Sequence, residues 1–150
     1  MNIYINCIGK INKKSSEYFL IEEYTKRLKW NIKINEFNDE TKEKEAKNLL
    51  EAIPNNSLII ALDEIGKELT SKEFANYLNE KQMSYNNISF LIGGADGLSQ
   101  TIIDKSHFVL SLSKMTWPHK IVRILLAEQL YRAYSILHNH PYHRGNNNRV

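Results

Sequence analysis

The chain alternates short apolar runs with longer stretches whose apolar residues recur at helical spacing. Ile3 to Ile8 predicts a strand, and Ser15 to Leu28 a helix whose apolar side carries Phe19, Ile21 and Leu28. Asn31 to Phe37 alternates polar and apolar residues, as a half-buried strand does. A charged helix over Asp39 to Ile53 is stopped by Pro54 and the Asn55-Asn56 pair. Ser57 to Leu62 (SLIIAL) is a continuous apolar run of strand length. Thr70 and Glu73 have capping-box spacing, which predicts a helix over Ser71 to Met83. Ile88 to Ile92 predicts a strand ended by Gly93-Gly94, Ser99 to Ser106 a short helix, and Phe108 to Leu112 a last strand. His119 to His138 is then a long helix entered through Trp117-Pro118, where a missing proline N–H does no harm.

Strand and helix alternate throughout, and the central strands are apolar on both faces. That pattern predicts an α/β fold, a mainly parallel sheet covered by helices, forming one domain over residues 1–150. The apolar side chains of the last helix, from Ile121 to Leu137, point in nearly every direction, with Arg123, Glu128, Gln129 and Arg132 scattered among them. A helix apolar all round is covered on more than one side. In so short a chain, a second subunit is the expected cover on one of them.

Charge changes this picture. Residues 1–110 hold 14 Lys+Arg against 16 Asp+Glu, whereas residues 111–150 hold 6 Lys+Arg against Glu128 alone. A basic C-terminal quarter on a near-neutral body points to a localised anionic partner, or else to a solvated basic tail. The chain has 15 Lys and 5 Arg, yet Arg123, Arg132, Arg144 and Arg149 all fall in this quarter. Arginine grips a phosphate in two places, which lysine cannot. The lone Cys7 permits no internal disulfide, and the N-terminal apolar stretch is broken by Asn2 and Asn6. Both observations lead us to expect a cytoplasmic protein with no membrane association.

Ligands of open α/β sheets bind beyond the carboxyl ends of the strands. Three segments leave strands at that end: Leu62 to Gly66, Gly93 to Leu98 and Leu112 to His119. The Gly93-Gly94-x-x-Gly97 stretch reads first as a tight strand-to-helix turn, with a phosphate cradle as the alternative. Neither GxxxxGK[ST] nor a complete GxGxxG is present, which removes support for triphosphate and nicotinamide sites. Met115 and Trp117 offer apolar walls to a flat ring, with backbone groups of Ser113, Lys114 and Thr116 free to bond its edges; core packing is the competing reading. Tyr142, His143 and Arg144 join aromatic and cationic groups in the tail, a mixture suited to unstacked bases and phosphates. The HxHxxH spacing of His138, His140 and His143 could alternatively bind metal. It lacks carboxylate or cysteine support, and no metal is expected.

LDEIGK, FLIGGADGLS, LSLSKMTWPHKIVRILLAEQLYRAYSI and NHPYHR, in this order and spacing, resemble the large-subunit ribosomal RNA methyltransferases called RlmH, of the SPOUT class. The Cys-Ile-Gly-Lys that ends the first strand fits too, whereas residues 10 to 56 carry no motif. The resemblance implies a C-terminal trefoil knot, a homodimer, and S-adenosylmethionine held by Leu62, Gly93 and Leu112, Ser113, Lys114, Met115, Thr116 and Trp117. It implies methylation at N3 of a pseudouridine in large-subunit rRNA within the ribosome. For that chemistry His143 and Arg144 are candidate catalytic groups, and Arg123, Arg132, Tyr142, His143 and Arg144 candidate RNA contacts. A SPOUT-type tRNA methyltransferase and a non-catalytic ribosome-binding module are the alternatives.

Overall fold

A computed structural model describes residues 1–144; Arg149 and the terminal GNNNRV tract lie outside the described residues. Five strands and five helices alternate as β1 (Asn2–Ile8), α1 (Ser16–Thr25), β2 (Asn31–Phe37), α2 (Lys42–Glu51), β3 (Ser57–Glu68), α3 (Ser71–Lys81), β4 (Asn87–Ile92), α4 (Gln100–Lys105), β5 (Phe108–Ser111) and α5 (His119–Leu137). The strands form one sheet in the order β2-β1-β4-β3-β5, and every pairing is parallel.

Alternation along the strands sorts the core into two layers. Leu58, Ile60 and Leu62 of β3, with Ile88, Phe90 and Ile92 of β4, pack beneath α3 and α5. Ile59, Ala61 and Leu91 point the other way, toward α2 and α4. Strands buried on both faces account for the continuous apolar runs. Helix starts are fixed by side-chain caps. Ser15, Thr41 and Ser99 each accept a bond from an N–H in the first turn, and Thr70 and Glu73 form the reciprocal box. The Thr41 cap starts α2 three residues after the expected Asp39.

β3 is twice the length expected from its apolar run. It pairs with β5 at Ile60 to Leu62, breaks register, and pairs again at Lys67 and Glu68. Residues 63–66 therefore bulge out of the ladder, and the polar Asp63-Glu64 that reads as a strand end is the bulge itself. A Cβ on Gly66 would lie 2.5 Å from the Val109 carbonyl oxygen, so only glycine lets the strand return beside β5.

α5 lies on the sheet between α1 and α3, and its apolar girth is largely covered within the chain. Leu126 and Leu130 are fully buried in the sheet-facing core. Ile121, Ile124 and Leu125 remain only half-buried. Arg123 is a correction to the expected RNA contacts. Only 1% exposed, its guanidinium donates to Glu36 of β2 at 2.6 Å and to the carbonyls of Gly9 at 2.7 Å and Ile8 at 3.3 Å. It is an internal clamp tying α5 to the ends of β1 and β2, out of reach of a phosphate.

Candidate active site

The bulge of β3, the turn after β4 and the loop after β5 meet at the carboxyl end of the sheet around a cavity of about 450 Å³. Its floor is apolar, formed by Leu62, Ile92, Leu98, Leu110, Leu112 and Val122. Three side chains left unusually exposed for their type stand at its rim: Ile65 at 75%, Met115 at 70% and Trp117 at 41%. The competing reading, in which Met115 and Trp117 pack into the core, fails on those values. Asp63, Glu64 and Asp96 supply carboxylates, and Lys42 and His119 complete the wall.

Backbone geometry holds this rim. The Gly97 N–H donates to the Gly94 carbonyl at 3.0 Å, and Gly97 has φ +75°, so the glycine segment is a tight turn. Gly93 is buried where the turn doubles back, and a Cβ there would lie 2.6 Å from the Gly97 carbonyl carbon. Its glycine is demanded by the turn closing on itself. In the third loop the Met115 N–H donates to the Ser113 hydroxyl at 2.8 Å, and the Ser111 hydroxyl donates to the Ser113 carbonyl at 2.8 Å. That carbonyl already accepts a bond, contrary to the expectation that it stands free. Across the mouth, the Thr116 hydroxyl donates to Glu64 at 2.6 Å and links the third loop to the bulge.

Leu62, Gly93, Leu112, Ser113, Met115, Thr116 and Trp117 all line the cavity, whereas Lys114 is exposed and does not. In the sequence His119 closes the third strand-end segment and starts the last helix, with no role of its own assigned. Its buried Nδ1 has no partner, and burial, then the charge of Arg123, lowers its pKa below the ordinary imidazole value. Cys7 lies elsewhere, its thiol pushed up to about 12 by burial, and is inert.

The tail residues form a second cluster. Glu128 accepts from Arg132 Nη2 at 2.6 Å and from the Tyr142 phenol at 2.8 Å. Arg132 Nη1 lies 3.0 Å from His143 Nδ1, and its guanidinium carbon sits 4.8 Å above the Tyr142 ring. Burial, then the bond to Glu128, raises the Tyr142 pKa, and the same carboxylate raises that of Arg132. Arg144 is exposed beside them. Among the described residues no three His, Cys, Asp or Glu side chains gather into a metal site, and Nδ1 of His143 faces a cation. At 1.5 Å per residue, Arg132 stands roughly 20 Å along α5 from His119 at the cavity. One chain does not bring the two clusters together.

The family described as "Predicted SPOUT methyltransferase" matches residues 1–143. This chain belongs to the SPOUT methyltransferases. It is 40% identical to the ribosomal RNA large subunit methyltransferase H of Clostridium tetani over 160 residues, 96% of this chain and all of the relative. It is 42% identical to the protein of that name from Clostridium botulinum strain Hall and 41% to that from Halothermothrix orenii, with the same coverage. A solved probable methylase family protein from Haemophilus influenzae superposes with TM-score 0.56 at 14% identity, covering 95% of this chain and 70% of that one, a likeness of fold alone. In this SPOUT methyltransferase the cavity joins an apolar floor to the carboxylates of Asp63, Glu64 and Asp96. No helix among the described residues is long and apolar enough to cross a membrane.

Proposed function

We propose that this SPOUT methyltransferase methylates N3 of a pseudouridine in large-subunit ribosomal RNA, using S-adenosylmethionine and acting as a homodimer in the cytoplasm. The observation that carries the reading is the meeting of three strand-end loops around one cavity, in a chain matched over 96% of its length by relatives named for rRNA methylation. The cavity suits the cofactor: Met115 and Trp117 for adenine, Asp63, Glu64 or Asp96 for ribose hydroxyls and the sulfonium charge. S-adenosylmethionine supplies a methyl carbon on positively charged sulfur, already activated for displacement. The protein then has chiefly to align the ring nitrogen and exclude water.

The separation between cavity and tail supports a second copy supplying Tyr142, His143 and Arg144 to the site. The half-buried Ile121 and Leu125 of α5, which join none of the core clusters, suit such a dimer face. The trefoil knot belongs to the same reading. The test is methyl transfer from labelled cofactor onto purified ribosomes, separate subunits and tRNA, with the product nucleotide identified by mass spectrometry. We expect label at N3 of a large-subunit pseudouridine. Label confined to tRNA, or cofactor bound without transfer to any RNA, overturns the assignment.

A further inference from the structure

The guanidinium of Arg132 is fixed on three sides. Its Nε and Nη2 both donate to the Glu128 carboxylate, at 3.2 and 2.6 Å, and the Tyr142 ring lies beneath it at 4.8 Å. Tyr142 is held in turn, its hydroxyl on Glu128 and its ring edge-on to Tyr131 with centroids 4.8 Å apart. The fork cannot swing away, and its remaining end, Nη1, meets Nδ1 of His143 at 3.0 Å.

A guanidinium has only donors and stays charged at any pH the fold survives. Nδ1 of His143 must therefore accept. A proton there would set N–H against N–H and one cation against another. This contact is kept only by an imidazole whose proton sits on Nε2, the nitrogen turned away from Arg132.

Resting on the methyltransferase reading above, we propose that His143 serves the reaction as a hydrogen-bond donor, through Nε2–H, to a carbonyl oxygen of the target pyrimidine, with Arg132 and Glu128 as positioning residues that impose this tautomer. A ring nitrogen that already carries its proton cannot take another from N3 while the opposite nitrogen is occupied by Arg132. The N3 proton passes to water instead. The pair left on N3 spreads onto the two flanking carbonyl oxygens, forms the bond to the methyl carbon, and the carbon–sulfur pair stays with sulfur. A donor beside one of those oxygens stabilises the charge as it develops.

The tautomer can be read without any reaction. In full-length protein labelled with 15N-histidine, long-range 1H–15N correlation, with His143 assigned from His143→Gln, should show Nε2 protonated and Nδ1 bare at neutral pH. In Arg132→Met the fraction of rings protonated on Nδ1, as the minor tautomer or as the cation, should rise above that of wild type. A wild-type ring protonated on Nδ1 or on both nitrogens overturns the proposal. Activity gives the second arm. The amide of His143→Gln places an N–H near the position of Nε2 and should keep kcat within about tenfold of wild type, whereas His143→Ala should lose about a hundredfold. His143→Gln as inactive as His143→Ala, with alkaline recovery of His143→Ala, identifies a proton acceptor and sinks the donor role. If wild-type protein methylates no RNA, the function fails, and the spectrum alone decides the tautomer.

Discussion

Arg123 and Arg132 stand on one helix, each bound to a glutamate at 2.6 Å, yet their surroundings differ. Arg123 is sealed in, and its partners are backbone carbonyls and a side chain of another strand. Arg132 is about a quarter exposed, and its partners are a residue one turn earlier and the tail. The first closes the fold behind the cavity; the second arranges groups on the outside. A basic residue near a binding site is thus no evidence of contact with the ligand until its partners are known.

Arg123→Met should show the difference most strongly. It strips donors from two carbonyls and leaves Glu36 without its cation, which should cost about 3 kcal/mol in urea unfolding. A loss below about 1 kcal/mol would remove the clamp from the account of stability. Deleting residues 142–150 should do the reverse. The bond of Tyr142 to Glu128 and its contact with Tyr131 are lost, so unfolding should shift by about 2 kcal/mol, less than for Arg123→Met, and cofactor affinity, measured by calorimetry, should hold, while methyl transfer falls by at least about a hundredfold. Full activity in the truncated protein would empty the tail of its role. Thr116→Val opens the bond across the cavity mouth. It should weaken calorimetric cofactor affinity by about tenfold or less without moving unfolding, since one exposed hydrogen bond is at stake. No change would make the bond incidental.

The smallest effect concerns His119. Its folded-state pKa is lowered, so as pH falls the unfolded chain binds a proton first. Stability from this group is complete above the ordinary imidazole value of about 6.5 and declines below it, until the folded-state value is reached. Unfolding of wild type and His119→Asn between pH 7.5 and pH 5, on the order of two pH units, should diverge in the acid limb, wild type losing more. Parallel curves would mean the imidazole is not held neutral.

The element order, the parallel sheet and the three loops were legible because periodicity and chain reversal are written in local sequence. The extension of β3 was not. A strand that leaves its ladder at Asp63 and rejoins at Lys67 has no local signature, since its pairing is set by β5. Arg123 was misread for a related reason. Nothing within a turn of it in the sequence announces partners on β1 and β2. Leu126 and Leu130 fit a subunit interface equally well in the bare pattern, but face the sheet. The turn glycines are legible from their spacing, and the turn closing on itself is enough to hold Gly93 to glycine.

The Arg123 clamp also bears on the order of events when the chain is made. Synthesis delivers Ile8 and Gly9 early, yet the group that fixes their carbonyls follows 115 and 114 positions later. Between them β1 must also wait for β4, whose Asn87 pairs with Asn2. Contacts of such long sequence separation make folding slow, because loops must close before any bond rewards them. The nascent N-terminal half can acquire helices and pair β1 with β2 as it emerges, but the carbonyls of Ile8 and Gly9 lack their side-chain donor until α5 arrives. A ribosome stalled before Arg123 therefore carries all five strands, with the carboxyl ends of β1 and β2 still waiting for the group that ties them to α5.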